Sequence, residues 1–258
     1  MFLRYLYLHK RSASRTLEIM FWPVMELFVW GFLTVYLKSL QQSGTGQAVL
    51  YLIGAMIFWD VLYRSQQGVS ISFVEDIWTQ NISNLFVSPL RIWEWVLATF
   101  LYSTLKIVII VSILSVIALN LYDFNLVRSL GWSLIPLIAQ LFIFGWAMGI
   151  VTSGLLIRWG HAVEALIWGI PFLLQPLSAI FYPLSVLPLW VQKIAIYLPS
   201  THVFEGMRQA LLRQEFPSSH IMWAIGLNAI YMMLAVLFFK WMYESSRRSG
   251  KLGRLGTD

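Results

Sequence analysis

Six apolar stretches constrain what this chain can fold into. They cover residues 19–37, 46–63, 95–121, 130–157, 165–187 and 221–239. The hydrocarbon core of a bilayer is about 30 Å thick, so a helix needs about 20 residues to cross it. In lipid only helices and closed barrels satisfy every backbone hydrogen bond. The sequence therefore predicts an all-α polytopic membrane protein, with one transmembrane domain over residues 1–258 and six transmembrane helices.

The charge distribution predicts the orientation of these spans. Charged residues make up 12% of the chain, about half the usual share of about 25% in soluble domains. With six spans, twelve of the 18 Lys and Arg residues fall on the side that holds both termini, and five fall on the other side. The positive-inside rule then predicts both termini in the cytoplasm, in a bacterial inner membrane. This placement accounts for the net charge of +6, so nucleic-acid binding is not expected.

No metal site or disulfide is expected. The chain contains no Cys, which excludes disulfides and thiolate ligands. Its four His residues are scattered over different loops and both membrane sides. His161 and Glu164, three residues apart, are a weak ligand pattern with no second cluster beside them.

Residues 1–17 precede the first span and predict an interfacial helix. Phe2, Leu3 and Leu6 would enter the inner leaflet, while Lys10 and Arg11 would face anionic headgroups. A frayed basic tail is the alternative.

The long cytoplasmic segment between the second and third spans predicts an amphipathic helix. Val74, Ile77, Trp78 and Leu85 recur at helical spacing, and Pro89 ends the pattern. We expect a helix over residues 73–90 that docks a soluble partner. A helix resting on the membrane surface is the alternative.

The external segment 183–220 predicts two short re-entrant helices over 189–198 and 201–212, neither long enough to span. Ser200 or Thr201 is the expected N-cap of the second helix. Glu205 and Arg208 lie three residues apart on it, close enough to pair.

Two motifs in this order resemble those of a known family. The run NLFVSPL at 84–90 opens the third span, and FYPLSVLP at 181–188 leads into LPSTHVFEGMR at 198–208. Together with the predicted topology, they resemble the permeases of ABC-2 type transporters. The resemblance covers essentially the whole chain.

The resemblance implies one half of an exporter. Such permeases form homodimers or heterodimers, and each subunit docks one soluble ATPase, giving two ATPase copies. A homodimer is expected here, surrounded by membrane lipids. The sequence has no G-x-x-x-x-G-K-[ST] phosphate loop, so we expect a separate ATPase to bind ATP and Mg, with no cofactor bound by this chain. The implied ATPase-coupling residues are Glu75, Asp76, Ile77, Trp78, Leu85, Phe86, Ser88 and Pro89.

In the resembled family the first, second and fifth helices surround the translocation pathway. The implied pathway residues here are Glu26, Trp30, Gln175, Ser178 and Tyr182. Lys106 is expected to be a structural charge in the third span. Charges at such depth usually face a partner or a watery cavity, so a shared network of Glu26 and Lys106 and a contact with substrate both stay open.

Two shorter patterns concern packing. Asp60 is expected to be solvated or to pair with Arg64 four residues on. Gly145 and Gly149 in the fourth span favour close approach of another helix of the same subunit.

The resulting functional prediction is a transport permease, not itself an enzyme, that exports an amphipathic or lipid-linked molecule such as a drug, antibiotic, glycan or lipid. A membrane-embedded lipid-modifying enzyme would need an intramembrane acid, base or nucleophile cluster. A secondary transporter would show internal repeats and paired broken helices.

Overall fold

The computed structural model describes residues 13–40, 46–78 and 92–249, and the regular structure of these ranges is helical throughout. The helices are α1 (Ala13–Leu40), α2 (Gly46–Trp78), α3 (Ile92–Tyr122), α4 (Leu126–Leu130), α5 (Leu134–Trp159), α6 (Leu166–Leu174), α7 (Leu189–Ala195), α8 (Pro199–Arg213) and α9 (Ser218–Arg248).

Four of the described helical stretches are long and apolar enough to cross a membrane. They are Met20–Leu37 in α1, Leu97–Tyr122 in α3, Leu126–Val163 around α5, and Ser218–Arg248 in α9. These agree with the predicted spans 19–37, 95–121, 130–157 and 221–239. The span predicted from residue 130 begins later as a continuous helix, because Gly131 adopts a left-handed φ of 50° and a short 3₁₀ turn precedes α5.

The helix α2 contains the second predicted span and lies at the centre of the molecule. Every residue from 53 to 62 is buried, and the core joins Phe58 of α2 to Leu27 of α1, Phe144 of α5 and Phe204 of α8. The helix continues 15 residues beyond the predicted end at 63 without a break. Its polar continuation is tolerated because it packs against α5.

The fifth predicted span, 165–187, is wrong as a continuous helix. Helix α6 has nine residues, and residues 175–182 form turns and bends. Pro176 cannot donate a backbone hydrogen bond, and Ala179 adopts a left-handed φ of 52°, which an L-residue rarely does. The apolar composition of the segment could not reveal this break.

This fifth segment nevertheless extends along most of α2. At one end Ile167 packs with Val74, and at the other the carbonyl of Ile180 accepts a hydrogen bond from Tyr51. Tyr51 and Val74 lie near opposite ends of α2. The segment therefore lies alongside α2 and is only partly helical. We call it the broken segment (residues 166–184).

Two short helices follow the broken segment, as predicted for the region 183–220. Helix α8 begins at Pro199 with Leu198 as its N-cap residue, so the prediction that Ser200 or Thr201 caps it is wrong. Pro is well suited to the first helical position because it lacks the N–H that would be unpaired there. Ser200 and Thr201 lie instead in the first turn, and both are buried.

The structure describes only part of the two segments that were predicted to lie on the cytoplasmic side, residues 1–17 and 73–90. Residues 1–12 of the proposed interfacial helix lie outside the described residues, and 13–17 belong to α1. Residues 73–78 of the proposed coupling helix belong to α2, and 79–91 lie outside the described residues.

Close packing joins α2 to α5, as the two glycines predicted. A Cβ atom added at Gly149 would lie 2.7 Å from the Cβ of Val69 and 2.8 Å from the carbonyl oxygen of Gln66. Gln66 Nε2 also donates to Thr152 Oγ1 across this interface at 3.2 Å. The two helices therefore form a closely packed pair.

Replacing Gly149 with Ala should destabilise this pair. The added methyl group meets a backbone carbonyl that cannot move freely, and overpacking of this kind costs about 1–3 kcal/mol. A Cβ atom added at Gly226 of α9 would meet no atom within 4 Å, so Gly226→Ala is the matched control. Thermal unfolding of the purified protein should show a lower Tm for Gly149→Ala and no loss for Gly226→Ala. Equal Tm values would contradict the packing assignment.

Candidate functional site

A buried ion pair lies in the middle of α2. Arg64 Nε donates to both carboxylate oxygens of Asp60, at 2.9 and 2.8 Å. The Asp60 side chain is only 2% exposed and that of Arg64 15%. The predicted pairing of Asp60 and Arg64 is thus confirmed, whereas solvation of Asp60 is not found. Removal of either partner would leave a buried charge uncompensated.

Glu26 of α1 is half-buried. The charges of Asp60 and Arg64 both act on it. Its carboxylate makes no hydrogen bond or ion pair with another residue of the described ranges. Glu26 is therefore a carboxylate in a membrane span without a direct partner among the described side chains.

Lys106 of α3 has a different environment. Its Nζ lies 4.9 Å from the centre of the Tyr102 ring, a cation–π contact. Glu75 and Arg64 are the charged groups that act on it. Glu26 and Lys106 do not pair in the described structure, although the charge of Arg64 acts on both.

Aromatic rings border Glu26. Trp30, one helical turn further along α1, stacks on Phe181 with ring centroids 4.2 Å apart. Tyr63 of α2, on which the charge of Glu26 acts, lies 5.6 Å from the ring of Phe172 and 6.1 Å from that of Trp59. We call Trp30, Trp59, Tyr63, Phe172 and Phe181 the aromatic strip. It joins α1, α2 and the broken segment.

The carbonyls of the broken segment are hydrogen-bonded by side chains. Tyr51 Oη donates to the carbonyl of Ile180 at 2.6 Å, and Arg208 Nη2 donates to that of Ala179 at 3.2 Å. Tyr182 Oη donates to the carbonyl of Pro176 at 2.7 Å. These side chains satisfy carbonyls that the turns of this segment leave without a backbone N–H partner in the described structure.

Helix α8 holds the rest of this network. Glu205 Oε1 accepts the backbone N–H of Leu184 and contacts Arg208 Nη1, both at 2.6 Å, which confirms the predicted Glu205–Arg208 pair. Arg208 Nη2 donates to Tyr51 Oη at 2.9 Å, and the guanidinium lies 4.4 Å from the centre of the Tyr51 ring. The ion pair thus fixes the broken segment to α2.

The polar residues predicted for the pathway divide between two environments. Ser178 is fully buried; its hydroxyl donates to the carbonyl of Leu174 at 2.8 Å and contacts Ser200 Oγ at 2.7 Å. Its hydrogen-bonding capacity is therefore used within the network. Gln175 and Tyr182 are half-buried, and their contact with substrate stays a prediction.

A histidine pair lies where α8 meets α9. His202 of α8 stacks on Trp223 of α9 at 5.9 Å, and the ring of His220 lies 5.8 Å away. Burial lowers the pKa of His202, which favours the neutral ring. The contact joins α8 to α9.

The predicted coupling residues are only partly visible. Glu75 is half-buried at the end of α2, and Asp76, Ile77 and Trp78 continue that helix. The remaining residues, Leu85, Phe86, Ser88 and Pro89, lie outside the described residues.

Within the described ranges, no group of three or more His, Asp or Glu side chains is arranged to hold a metal ion. His161 and Glu164 form an exposed pair, with Nδ1 3.0 Å from Oε2.

Sequence reasoning missed several residues of this site. Tyr51 lies in an apolar stretch and showed no signal of its own. Phe181 and Ser200 were recognised only as members of the two family motifs, and Ser200 also as a possible helix cap, without the contacts that the structure gives them. Their roles depend on the break at residues 175–182, which hydropathy cannot reveal.

Comparison with known proteins agrees with this architecture. A family model described as ABC-2 type transporter matches residues 7–212. A search of curated proteins finds no match. The family match spans most of the chain, includes both sequence motifs and confirms the family that they predicted. The chain is therefore a multi-pass membrane protein that belongs to the ABC-2 type transporter family.

Proposed function

We propose that this chain is the permease of an ATP-driven exporter in the cytoplasmic membrane. Two copies would form the translocation pathway, and each would dock one separate ATPase through residues 75–89. The family match over residues 7–212 is the observation that carries this proposal. Both termini are cytoplasmic in this arrangement, and the substrate leaves the cytoplasm.

The shape of α2 supports a mechanical route from ATPase to pathway. One uninterrupted helix carries Asp60 and Tyr63 at its middle and Glu75 near its end. Fifteen residues separate Asp60 from Glu75, about 22 Å at a rise of 1.5 Å per residue. Displacement of the 75–78 end by the closing ATPases would therefore move the residues beside Glu26.

The packing of α2 supports the next step. Ser70 Oγ contacts the carbonyl of Gly149 at 3.4 Å, and Gln66 bonds Thr152, so α2 and α5 would move together. The broken segment, attached through Tyr51 and Arg208, is the element that would adjust. Its non-helical backbone changes shape more readily than a continuous helix.

The two rival functions receive less support. A membrane-embedded enzyme needs a cluster of intramembrane acid, base or nucleophile groups. Asp60 is occupied by Arg64 and Lys106 lies against Tyr102, so neither is available to act together with Glu26. A secondary transporter of the inverted-repeat type is expected to have paired broken helices. In the described ranges one crossing element is broken, and α1, α2, α3, α5 and α9 are continuous.

The dimer predicts the composition of the purified complex. Native mass spectrometry of the permease with its ATPase should give a four-chain particle that contains two copies of the 29.8 kDa permease. The physical reason is that the aromatic strip and the half-buried Glu26 would line a pathway completed by a second copy. A particle with one permease would contradict the dimer.

The coupling assignment predicts a local effect of Leu85→Asp. If Leu85 is seated in a groove of the ATPase, an unpaired charge there costs several kcal/mol. ATPase recovered by pull-down should fall at least about tenfold, and transport should be lost while expression is kept.

Leu189→Asp is the matched control for that experiment. Leu189 belongs to α7, which lies on the opposite membrane side in the proposed topology, and its side chain is exposed. This variant should recover ATPase at wild-type yield. Wild-type recovery and transport with Leu85→Asp would refute the coupling assignment and favour a helix that rests on the membrane.

A further inference from the structure

Glu26 is a carboxylate that the neighbouring ion pair does not neutralise. Asp60 and Arg64, whose charges act on Glu26, neutralise each other by direct contact. Glu26 itself makes no hydrogen bond or ion pair with another residue of the described ranges.

An unpaired carboxylate inside a membrane span needs compensation. A charged side chain at this depth costs several kcal/mol of free energy, about 3 kcal/mol or more, and it usually faces a partner, a cavity or a pathway. Glu26 lies six residues from the start of the apolar stretch at Met20, about 9 Å along the helix. It is half-buried rather than enclosed, so a molecule at the surface of α1 and α2 could reach it.

The rings beside Glu26 favour one kind of compensation. Aromatic faces attract cations within about 6 Å of their centres, and aromatic cages bind quaternary ammonium groups. Trp30 lies one helical turn from Glu26 on α1 and stacks on Phe181, and the charge of Glu26 acts on Tyr63 of α2. Phe172 is 49% exposed, so the strip presents a ring face outside the core. A carboxylate next to such rings suits a charge that is spread over an apolar group.

We propose that Glu26 and the aromatic strip bind the positive group of a lipophilic cation, and that this class of molecule is what the permease exports. Export of the cation rests on the proposed function, whereas its binding does not require it. Glu26 supplies the opposite charge. The exposed and half-buried rings of the strip, Trp30, Tyr63, Phe172 and Phe181, contact the apolar body of the molecule and exclude water from the ion pair, while the buried Trp59 supports Tyr63.

Two other occupants could compensate Glu26: a proton, or a basic side chain from a second copy of this chain. Neither would give saturable binding of an added lipophilic cation that depends on Glu26. Measurement of such binding therefore separates the proposed ligand from both.

Tetraphenylphosphonium is a suitable probe, because four apolar phenyl groups surround its positively charged phosphorus atom. Tetraphenylborate has the same shape and the opposite charge. Binding of each to the full chain in lipid nanodiscs should be measured by equilibrium dialysis without nucleotide or ATPase, and empty nanodiscs should be used to subtract partition into lipid. The wild-type protein should bind tetraphenylphosphonium saturably and should not bind tetraphenylborate saturably.

Three variants of acidic residues test the role of the carboxylate. Glu26→Gln should weaken tetraphenylphosphonium binding at least about tenfold, since a charge-assisted contact is lost. Glu26→Asp keeps the charge and should retain most of the binding. Glu244→Gln makes the same change at an exposed residue of α9 and should leave binding unchanged.

Trp30→Leu provides a test that leaves the charge in place. It removes the aromatic face but keeps an apolar side chain, and should weaken binding about threefold or more. If the Tm of Glu26→Gln shows that this variant is too unstable to measure, the binding of tetraphenylphosphonium by Trp30→Leu tests the proposal instead.

The proposal is overturned if Glu26→Gln binds tetraphenylphosphonium as tightly as wild type, if Trp30→Leu does so, or if tetraphenylborate binds equally well. It is also overturned if the wild type shows no saturable binding. These results leave the proposed function intact, because the assay contains no ATPase. Failure of an ATPase to co-purify would instead contradict the proposed function without affecting the binding result.

Discussion

The backbone carbonyls of the broken segment are the constraint on which the arrangement of the molecule depends. A non-helical stretch at membrane depth is tolerated only where protein or a watery cavity satisfies its polar groups. Here Tyr51 and Arg208 donate to Ile180 and Ala179, and Glu205 accepts the N–H of Leu184. These contacts explain why an arginine and a glutamate of α8 are directed inward, and why α8 lies against the N-terminal end of α2.

The same contacts position the candidate site. Because the broken segment is fixed to α2, Phe172 lies beside Tyr63 and Phe181 meets Trp30 of α1. Trp30, one helical turn from Glu26, is thereby joined to the broken segment. The enclosure of α2 by its neighbours allows it to carry the Asp60–Arg64 pair at its centre. One polar network at the N-terminal end of α2 and one ion pair in its middle therefore shape the surface that we assign to substrate.

The sequence predicted the elements that follow simple periodicity and charge rules. The continuous apolar helices, the Glu205–Arg208 pair and the close approach at Gly149 all depend on local spacing, and all are found. The break in the fifth crossing was missed because hydropathy reports burial and not backbone hydrogen bonding. Tyr51 was missed for a related reason, since its hydroxyl bonds a residue 129 positions away. The sequence singled out Ser178 as a polar residue of the fifth segment. Its hydrogen bond to Ser200 could not be predicted, because it depends on how the broken segment packs against α8.

Hydrogen–deuterium exchange of residues 177–184 tests most directly whether α8 holds the broken segment in place. In Arg208→Gln the ion pair to Glu205 is lost, together with the guanidinium contact to Tyr51. The amides of 177–184 should then exchange faster than in the wild type, while those in the middle of α5 should exchange at the wild-type rate. Unchanged exchange of 177–184 in the variant would show that the segment keeps its shape without this network and would contradict the account.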